Sequence, residues 1–520
     1  MPCVRVSVED LTEERLDTGF YSPEFFHSKN ILDASGLKYF PLGNVCEPWQ
    51  FGAYALCNEI EWSSKDFGIP YLKAENLGSP LLEIEGLRYV TKNTHTLLAK
   101  SQLKSGDIIV ATSGTIGPCA ILPKSIPYAN SNQDTIKFNP SPAGFDNYFV
   151  GAWFTSKYLQ AFLRKEGGGA VQQHVYLFNF RRIPLLEIAS PAQIYIGNKV
   201  RQAEWLRAQA QKLEEEVFSF HNALIPSQSG FNYARKSRMT PVAILSDRLD
   251  AHFYPAVVED YMKSFNLEVH KLADLSELVT NGNTMGPSED AANAIGQITV
   301  ANLSSTFLKG EPRLVSAPSK REKFTKTHDI LFCNAAHNKS YIGRQITYCH
   351  SEDDFLPSTE VMLIRLDRDK VPASYVRCYL LTKIGFIQIQ STIRGITAHS
   401  YPEDVRILRI PVPTLTGKEK TDWFKQDDKM DLAGGCFTHS TRLTTAAKLL
   451  VEALIDGHLT ESDLIAAQKS LEAGDRTADR EILSRLTRKG INVAGEPSLF
   501  PDLDKLYEAL DTLETPEDEA

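Results

Sequence analysis

The chain repeats itself, and that repeat limits what it can become. Arg15-Leu16-Asp17-Thr18-Gly19-Phe20-Tyr21 returns as Arg248-Leu249-Asp250-Ala251-His252-Phe253-Tyr254, 233 residues later. Ala74-Glu75-Asn76-Leu77 is echoed by Val300-Ala301-Asn302-Leu303, and Gly106-Asp107-Ile108-Ile109-Val110 by His328-Asp329-Ile330-Leu331-Phe332. Trp153 to Lys157 is echoed by Tyr379 to Lys383, Gly169 and His174 by Gly395 and His399, and Ile183-Pro184 by Ile410-Pro411. Six matches fall in one order with shifts between 222 and 233. Self-similarity at a fixed period means repeated structural units. The 520 residues therefore hold two diverged copies of a unit of roughly 230 residues, each long enough to bury its own core.

Each copy opens with short β-rich runs bounded by Gly, Pro, Asn or Ser. These are IPYLKAENL, GDIIVATSG and DTIKFN in the first copy, and GQITVANL, DILFC and VMLIRL in the second. Helical stretches follow around 147–164 and 372–388. Each copy thus reads as an α+β domain, over 36–190 and 270–415, with 1–35 as an N-terminal segment and 227–269 as a linker and start of the second repeat.

After each domain the apolar period changes. Ile196, Val200, Ala203, Leu206, Ala210, Leu213, Val217, Phe220 and Leu224 step by three and four, close to a heptad seam. Cys436, Ser440, Leu443, Ala447, Leu450 and Leu454 do the same in the second copy. The spacing predicts a long spacer helix over 191–226, about 50 Å at 1.5 Å per residue, and a linker with a second spacer helix over 416–456. Equivalent placement in a duplicated chain favours pairing of the two. Residues 457–500 read as a helical extension, with Thr460 as a cap before ESDLIAAQKSLEAG. Residues 501–520 carry eight acids and one lysine and read as a solvated acidic tail. The fold class is α+β: two tandem α/β domains separated by long coiled-coil-forming helices, with a pseudo-twofold internal repeat.

The usual catalytic constellations do not occur. The twelve histidines form no HExxH, and there is no phosphate-loop motif and no GxGxxG. Asn139-Pro140-Ser141-Pro142 lacks the consecutive prolines and aromatic of an amino-methyltransferase loop, and no Glu-x-Lys occurs for a restriction-type nuclease site. Eight scattered cysteines without CxxC point to reduced, mostly buried thiols rather than zinc or disulfides. No apolar leader and no run of 18 apolar residues is visible, so the expected location is cytoplasmic, with no membrane span. What remains is a binding architecture. Two related, diverged domains suit two different patches of a long ligand, and double-stranded DNA is the natural one. The net charge of −9 does not exclude it: 36–190 and 270–415 each carry +2, whereas the last twenty residues carry −7. Weakly basic readers imply a partner that adds phosphate contacts.

The sequence resembles the DNA-specificity subunits of Type I restriction–modification systems. The resemblance rests on the doubled YLKAENL and GDIIVATSGTIG patterns, the Ile-Pro step, and the following helix with EWLRAQAQKLEEE, in that family's order. It implies a non-catalytic chain whose two target-recognition domains read a bipartite DNA site. Its helices would bind DNA methyltransferase subunits, two of them, with a restriction/translocase subunit as a further partner. No cofactor is expected on this chain; S-adenosylmethionine belongs to the methyltransferase, which modifies adenine N6. The long extension 457–520 and Asn334-Ala335-Ala336-His337-Asn338-Lys339-Ser340-Tyr341-Ile342-Gly343, in place of the SGTIG loop, depart from the family pattern. They leave open a standard Type I set or another methylation-linked phage-defence system. Candidate DNA-contacting residues lie on loops after the matched strands: Lys73, Asn76, Thr112, Ser113, Thr115, Gln172, Gln173 and His174 in the first domain. The second has Asn302, Asn334, His337, Asn338, Lys339, Arg394 and His399. Asn, Gln, Arg and Lys bond base edges, while Ser and Thr hold phosphates; the same residues populate ordinary surface loops, and Asn76 and Asn302 also suit turns. Val200, Leu206, Leu213, Val217, Leu443, Leu450 and Leu454 are the candidate partner-binding positions on the helices. Two other readings stand beside this one: an acidic DNA mimic acting against restriction, and an enzyme with an unrecognised site.

Overall fold

A computed structural model describes residues 6, 8, 11–12, 15, 17–51, 54–168, 173–234, 245, 248–265, 268–288, 294–350 and 354–512. The chain divides into two units, Met1–Arg207 with Thr438–Ala520, and Ala208–Phe437. Each holds one of the repeated domains.

In the first domain a four-stranded antiparallel sheet has the order Trp49–Gln50, Thr135–Phe138, Ile108–Ala111, Cys119–Ile121. In the second the order is Ser276–Asn281, Val361–Leu366, Ile330–Cys333, Ile346–Tyr348. The inner strands IIVA and ILFC are buried at all positions, which is why they read as continuous apolar runs rather than as an alternation. A second sheet keeps one parallel pair in both copies: Ile69–Leu72 with Tyr128–Ser131, and Ala294–Ile298 with Leu356–Pro357. It has five strands in the first domain and three in the second, among the described residues. The domain closes on itself where Lys38–Pro41 pairs with Pro184–Glu187, and Glu268–Lys271 with Arg409–Val412.

That closing pair corrects one anchor of the repeat. Leu42 N–H donates to the Ile183 carbonyl at 2.8 Å, and Leu272 N–H to that of Leu408 at 2.7 Å. Ile183 therefore corresponds to Leu408, not Ile410. A slip of two residues keeps every side chain on its own face, so the apolar pattern alone cannot detect it.

The helical stretches each break once. Ser156 and Thr382 take extended backbone, and their hydroxyls accept from Leu159 N–H (3.2 Å) and Gly385 N–H (3.1 Å). Each starts a second helix, giving Asn147–Thr155 then Lys157–Glu166, and Ala373–Leu381 then Lys383–Ser391.

Two long helices follow, Ser190–Leu224 and Gly417–Ile455. The second corrects the expectation of a linker: it is helical from Gly417 on, despite Gly434-Gly435. Gly434 is required by packing, since a Cβ there would lie 2.3 Å from that of His350. Within the first unit, Ser440 Oγ donates to the Ala203 carbonyl at 2.7 Å. Within the second, Lys429 meets Glu216 at 3.0 Å. Val200, Leu206, Val217, Leu443, Leu450 and Leu454 are buried, and Leu213 is half-buried.

The extension forms helices Glu461–Glu472 and Thr477–Ser484, a short hairpin, and helix Leu503–Thr512. Thr460 caps the first through Asp463 N–H at 3.2 Å, as its sequence predicts. The solvated tail is corrected for its first part: Leu506 and Tyr507 are buried, and Tyr507 donates to Asp479 at 2.5 Å. Asp479 also accepts from Tyr195 (2.7 Å) and Lys199 (2.6 Å), both on the first long helix. Residues 513–520 lie outside the described residues.

Candidate nucleic-acid interface

The candidate residues gather where the inner sheet strand ends. Beyond Ala111, Val175 N–H donates to the Thr112 carbonyl at 2.8 Å, and Gly114 N–H to that of Gln173 at 3.1 Å. Beyond Cys333, Ser400 N–H donates to the Asn334 carbonyl at 2.8 Å, and Ala336 N–H to that of Ala398 at 3.3 Å. His174 bridges Ser113 and Gly168, and His399 bridges Ala335 and Arg394. The same backbone mount is built twice, so the two histidines occupy equivalent places. Between the ends of each mount the first loop runs from Ala111 to Gly117 and the second from Cys333 to Gly343, each closed by a glycine N–H on the first residue's carbonyl. The additional residues of the second loop form the exposed stretch around His337 to Ser340.

The repeated Arg-Leu-Asp-x-x-Phe-Tyr motif braces this mount. Arg15 donates to the Lys165 carbonyl (3.3 Å) and the Gly167 carbonyl (2.9 Å), at the end of helix Lys157–Glu166, and to Asp17 (2.8 Å). Asp17 accepts Phe20 N–H at 3.1 Å, and Tyr21 donates to the Arg15 carbonyl at 2.9 Å. Arg248 repeats the pattern with Asp250 (2.8 Å), the Thr392 carbonyl (3.0 Å) and Asp404 (3.1 Å), while Tyr254 donates to its carbonyl at 2.7 Å. A cation satisfying the last carbonyls of a helix is favoured by partial charge and hydrogen bonding together. The hydrogen bond from Arg15 holds the Asp17 carboxyl below the ordinary carboxylate range. This motif is a structural clip.

The candidates separate into inward and outward groups. Asn76 and Asn302 are buried: their Oδ1 atoms accept Lys73 N–H (3.0 Å) and Thr299 N–H (2.9 Å), and their amides donate to Glu83 and Lys309 carbonyls at 3.4 and 3.0 Å. They are turn formers and present nothing to a ligand. Thr112 is buried with its hydroxyl on the Asp134 carbonyl at 3.2 Å, and Ser113 is buried. Asn334 is buried with its amide on Asn281 at 2.7 Å. Burial corrects these five as direct DNA contacts. Arg394 is half-exposed but engaged, at 2.6 Å from Asp404 and 3.1 Å from Glu403, and the hydrogen bond to Asp404 raises its guanidinium further. Lys73, His174 and His399 are half-exposed; Thr115, Gln173, His337, Asn338 and Lys339 are exposed. Gln172 and Gly169 lie outside the described residues.

The helix positions are corrected in the same sense. Val200, Leu206, Val217, Leu443, Leu450 and Leu454 are buried and present no free surface.

The sequence reading missed exposed apolar residues beside these loops. Tyr176 and Phe178 are more than half exposed, with rings stacked at 6.0 Å and 10°. Tyr341 and Tyr401 are exposed, and Ile396 projects fully at the tip between Arg394 and His399. The signal was available: His174-Val175-Tyr176 recurs as His399-Ser400-Tyr401.

Among the described residues no group of three or more His, Cys, Asp or Glu could hold a metal ion. No described helix is long and apolar enough to cross a membrane. Cys119, Cys333, Cys349, Cys378 and Cys436 are buried free thiols and Cys46 is half-buried; burial pushes the Cys46 thiol up to about 11.

Neither a protein-family model nor a curated protein matches the sequence. Among solved structures, the chain is similar to a Type I restriction–modification S subunit from M. genitalium, at 12% identity and a TM-score of 0.35 over 82% of this chain and 96% of that one. A chain from a structure of the assembly and conformational transition of the type I R-M system gives 15%, 0.27, 81% and 98%. The HsdS subunit from Thermoanaerobacter tengcongensis gives 15%, 0.24, 82% and 97%. All three superpose loosely.

Proposed function

We propose that this chain is a non-catalytic DNA sequence-specificity subunit that directs an adenine-N6 methyltransferase to a bipartite site. The observation that carries this reading is the doubled mount: one backbone geometry, built twice, presents different exposed side chains. Thr115 and Gln173 stand on the first, and His337, Asn338 and Lys339 on the second. Side chains of these types read base edges, and a rigid mount fixes their register on a duplex. Two such readers with different side chains specify two different half-sites.

The proposed partners are double-stranded DNA, two methyltransferase subunits that bind S-adenosylmethionine, and a restriction/translocase subunit. The near-neutral readers leave most phosphate neutralisation to those partners. Co-expression with a methyltransferase and mapping of methylated adenines tests the reading. Methylation at a split motif that requires this chain is expected; methylation without it, or at an undivided motif, contradicts it.

A further inference from the structure

The exposed loop side chains of the two mounts differ, yet one surface pair beside them is the same in both. His174 and Tyr176 stack at 6.4 Å and 29°, and His399 and Tyr401 at 6.1 Å and 25°. Both histidines sit at the equivalent bridge of the mount. Both tyrosines precede a one-turn helix, Leu177–Phe180 or Pro402–Val405, and an exposed arginine follows each turn, Arg181 or Arg406. Gly43 N–H on the Arg181 carbonyl (2.9 Å) and Ala273 N–H on the Arg406 carbonyl (2.8 Å) show these arginines to be equivalent.

Core packing does not account for the tyrosines, which are 55% and 39% exposed. The bridges use main-chain atoms and do not require an imidazole; the His399 ring also meets the Thr397 carbonyl at 2.5 Å. The surroundings differ chemically: Tyr176 lies against Phe178, and Tyr401 against the Arg394 guanidinium 5.0 Å from its ring centre. A surface pair retained amid such differences serves something the two ligand patches have in common. In a DNA site with two unlike halves, the common element is the sugar–phosphate backbone.

We infer that His174–Tyr176 and His399–Tyr401 are matched, sequence-independent docking pairs, each holding the DNA backbone of one half-site while the diverged neighbours read its bases. The inference rests on the proposed DNA-specificity reading. The tyrosine hydroxyl donates to a phosphate oxygen and the rings of the pair pack on the sugar, with the flanking arginine held close by, Arg181 on Glu47 and Arg406 on the Val279 carbonyl. Selectivity then falls to Thr115, Gln173 and Phe178 in one domain, and to His337, Lys339 and Ile396 in the other.

The test uses the full chain in complex with its methyltransferase. Binding is measured to a duplex carrying the mapped motif and to one of equal length with that motif scrambled. Y176A/Y401A should weaken both alike, by about tenfold for two lost hydrogen-bonding contacts, and leave the methylated motif and the melting temperature unchanged. Y176F/Y401F should give most of that loss, because the ring remains and the hydroxyl is gone. The inference is overturned if the motif changes at either half-site, if only the cognate duplex is affected, if affinity is unchanged, or if the variant loses the methyltransferase instead. Failure of the underlying reading looks different: the wild-type complex then shows no preference for the motif duplex at all.

Discussion

On the central strand of the four-stranded sheet the first domain buries Lys137 where the second buries Leu363. Registers fix the match, because Lys137 faces Ile109 and Leu363 faces Leu331 on corresponding strands. The Lys137 ammonium reaches Ser131 at 3.0 Å, and burial brings its pKa down to about 7. Two residues on, Asn139 donates to Asp107 at 2.8 Å, while Arg365 meets the matching Asp329 at 2.9 and 2.7 Å. At the preceding turn Gly106 has φ 88° and His328 has φ 75°; His328 tolerates the left-handed backbone beside Tyr348, whose hydroxyl lies 2.5 Å from its ring nitrogen. Ile121 stands at the Tyr348 position and offers no such partner. The two domains thus share hydrogen-bond geometry and differ in the chemistry that satisfies it. Duplication preserved the frame, and each copy solved its core separately.

The largest expected effect bears on the extension, which belongs to the first unit. Asp479→Ala leaves Lys199 buried without its carboxylate, with side chains 2% and 1% exposed in the native pair. Removing one partner of such a pair costs about 3–5 kcal/mol. Hydrogen exchange should accelerate across the first unit and stay unchanged over 208–437; uniform acceleration would show that the units are not separate.

The paired clips come next. Arg248→Ala removes one of the two guanidiniums on the buried Asp404, leaving Arg394 at 2.6 Å, and should cost about 2 kcal/mol. Arg15→Ala loses an exposed partner and helix-end carbonyls, and should cost no more than about 1 kcal/mol. Equal losses in denaturant titrations would contradict the distinction.

Lys137→Leu should stabilise the first domain by on the order of 2 kcal/mol at pH 7. The sign follows from a folded-state pKa of about 7 against an ordinary 10.5. Between those values the unfolded chain holds the proton that the folded chain has released, so wild-type stability rises with pH across this window. Below it the full penalty applies. The advantage of the leucine variant should therefore shrink from pH 7 towards 10.5, and a constant advantage would contradict the assignment. Smallest is Gly106→Ala, about 1 kcal/mol from the positive φ alone, since a Cβ there meets nothing closer than 3.9 Å. Thermal melting measures it, and no loss would show that the turn relaxes.

Much of the frame was legible because it follows from period. The repeat shows as ordered matches at shifts between 222 and 233, the buried strands as continuous apolar runs, and the helix seam as steps of three and four residues. The site was less legible. Asn76, Asn302 and Asn334 have the donors and acceptors of base readers, but local backbone geometry turns them inward, and side-chain type carries no sign of that. The two-residue slip at Ile183 is invisible to a pattern of period two. The aromatic pair is marked only by the recurrence of His174 and Tyr176 as His399 and Tyr401, since residue type does not show that these tyrosines are exposed. The N-terminal part of Gly417–Ile455 was hidden by Gly434, a residue that disfavours a helix yet is needed where His350 packs.

The central claim is that each domain reads its own half of a divided DNA site. Replacing residues 36–190 with the recognition domain of a specificity subunit whose motif is known, with a methyltransferase co-expressed, tests it most directly, with methylated adenines mapped genome-wide. The account predicts a split motif in which one half changes and the other is retained. A change in both halves, or in neither, would contradict it.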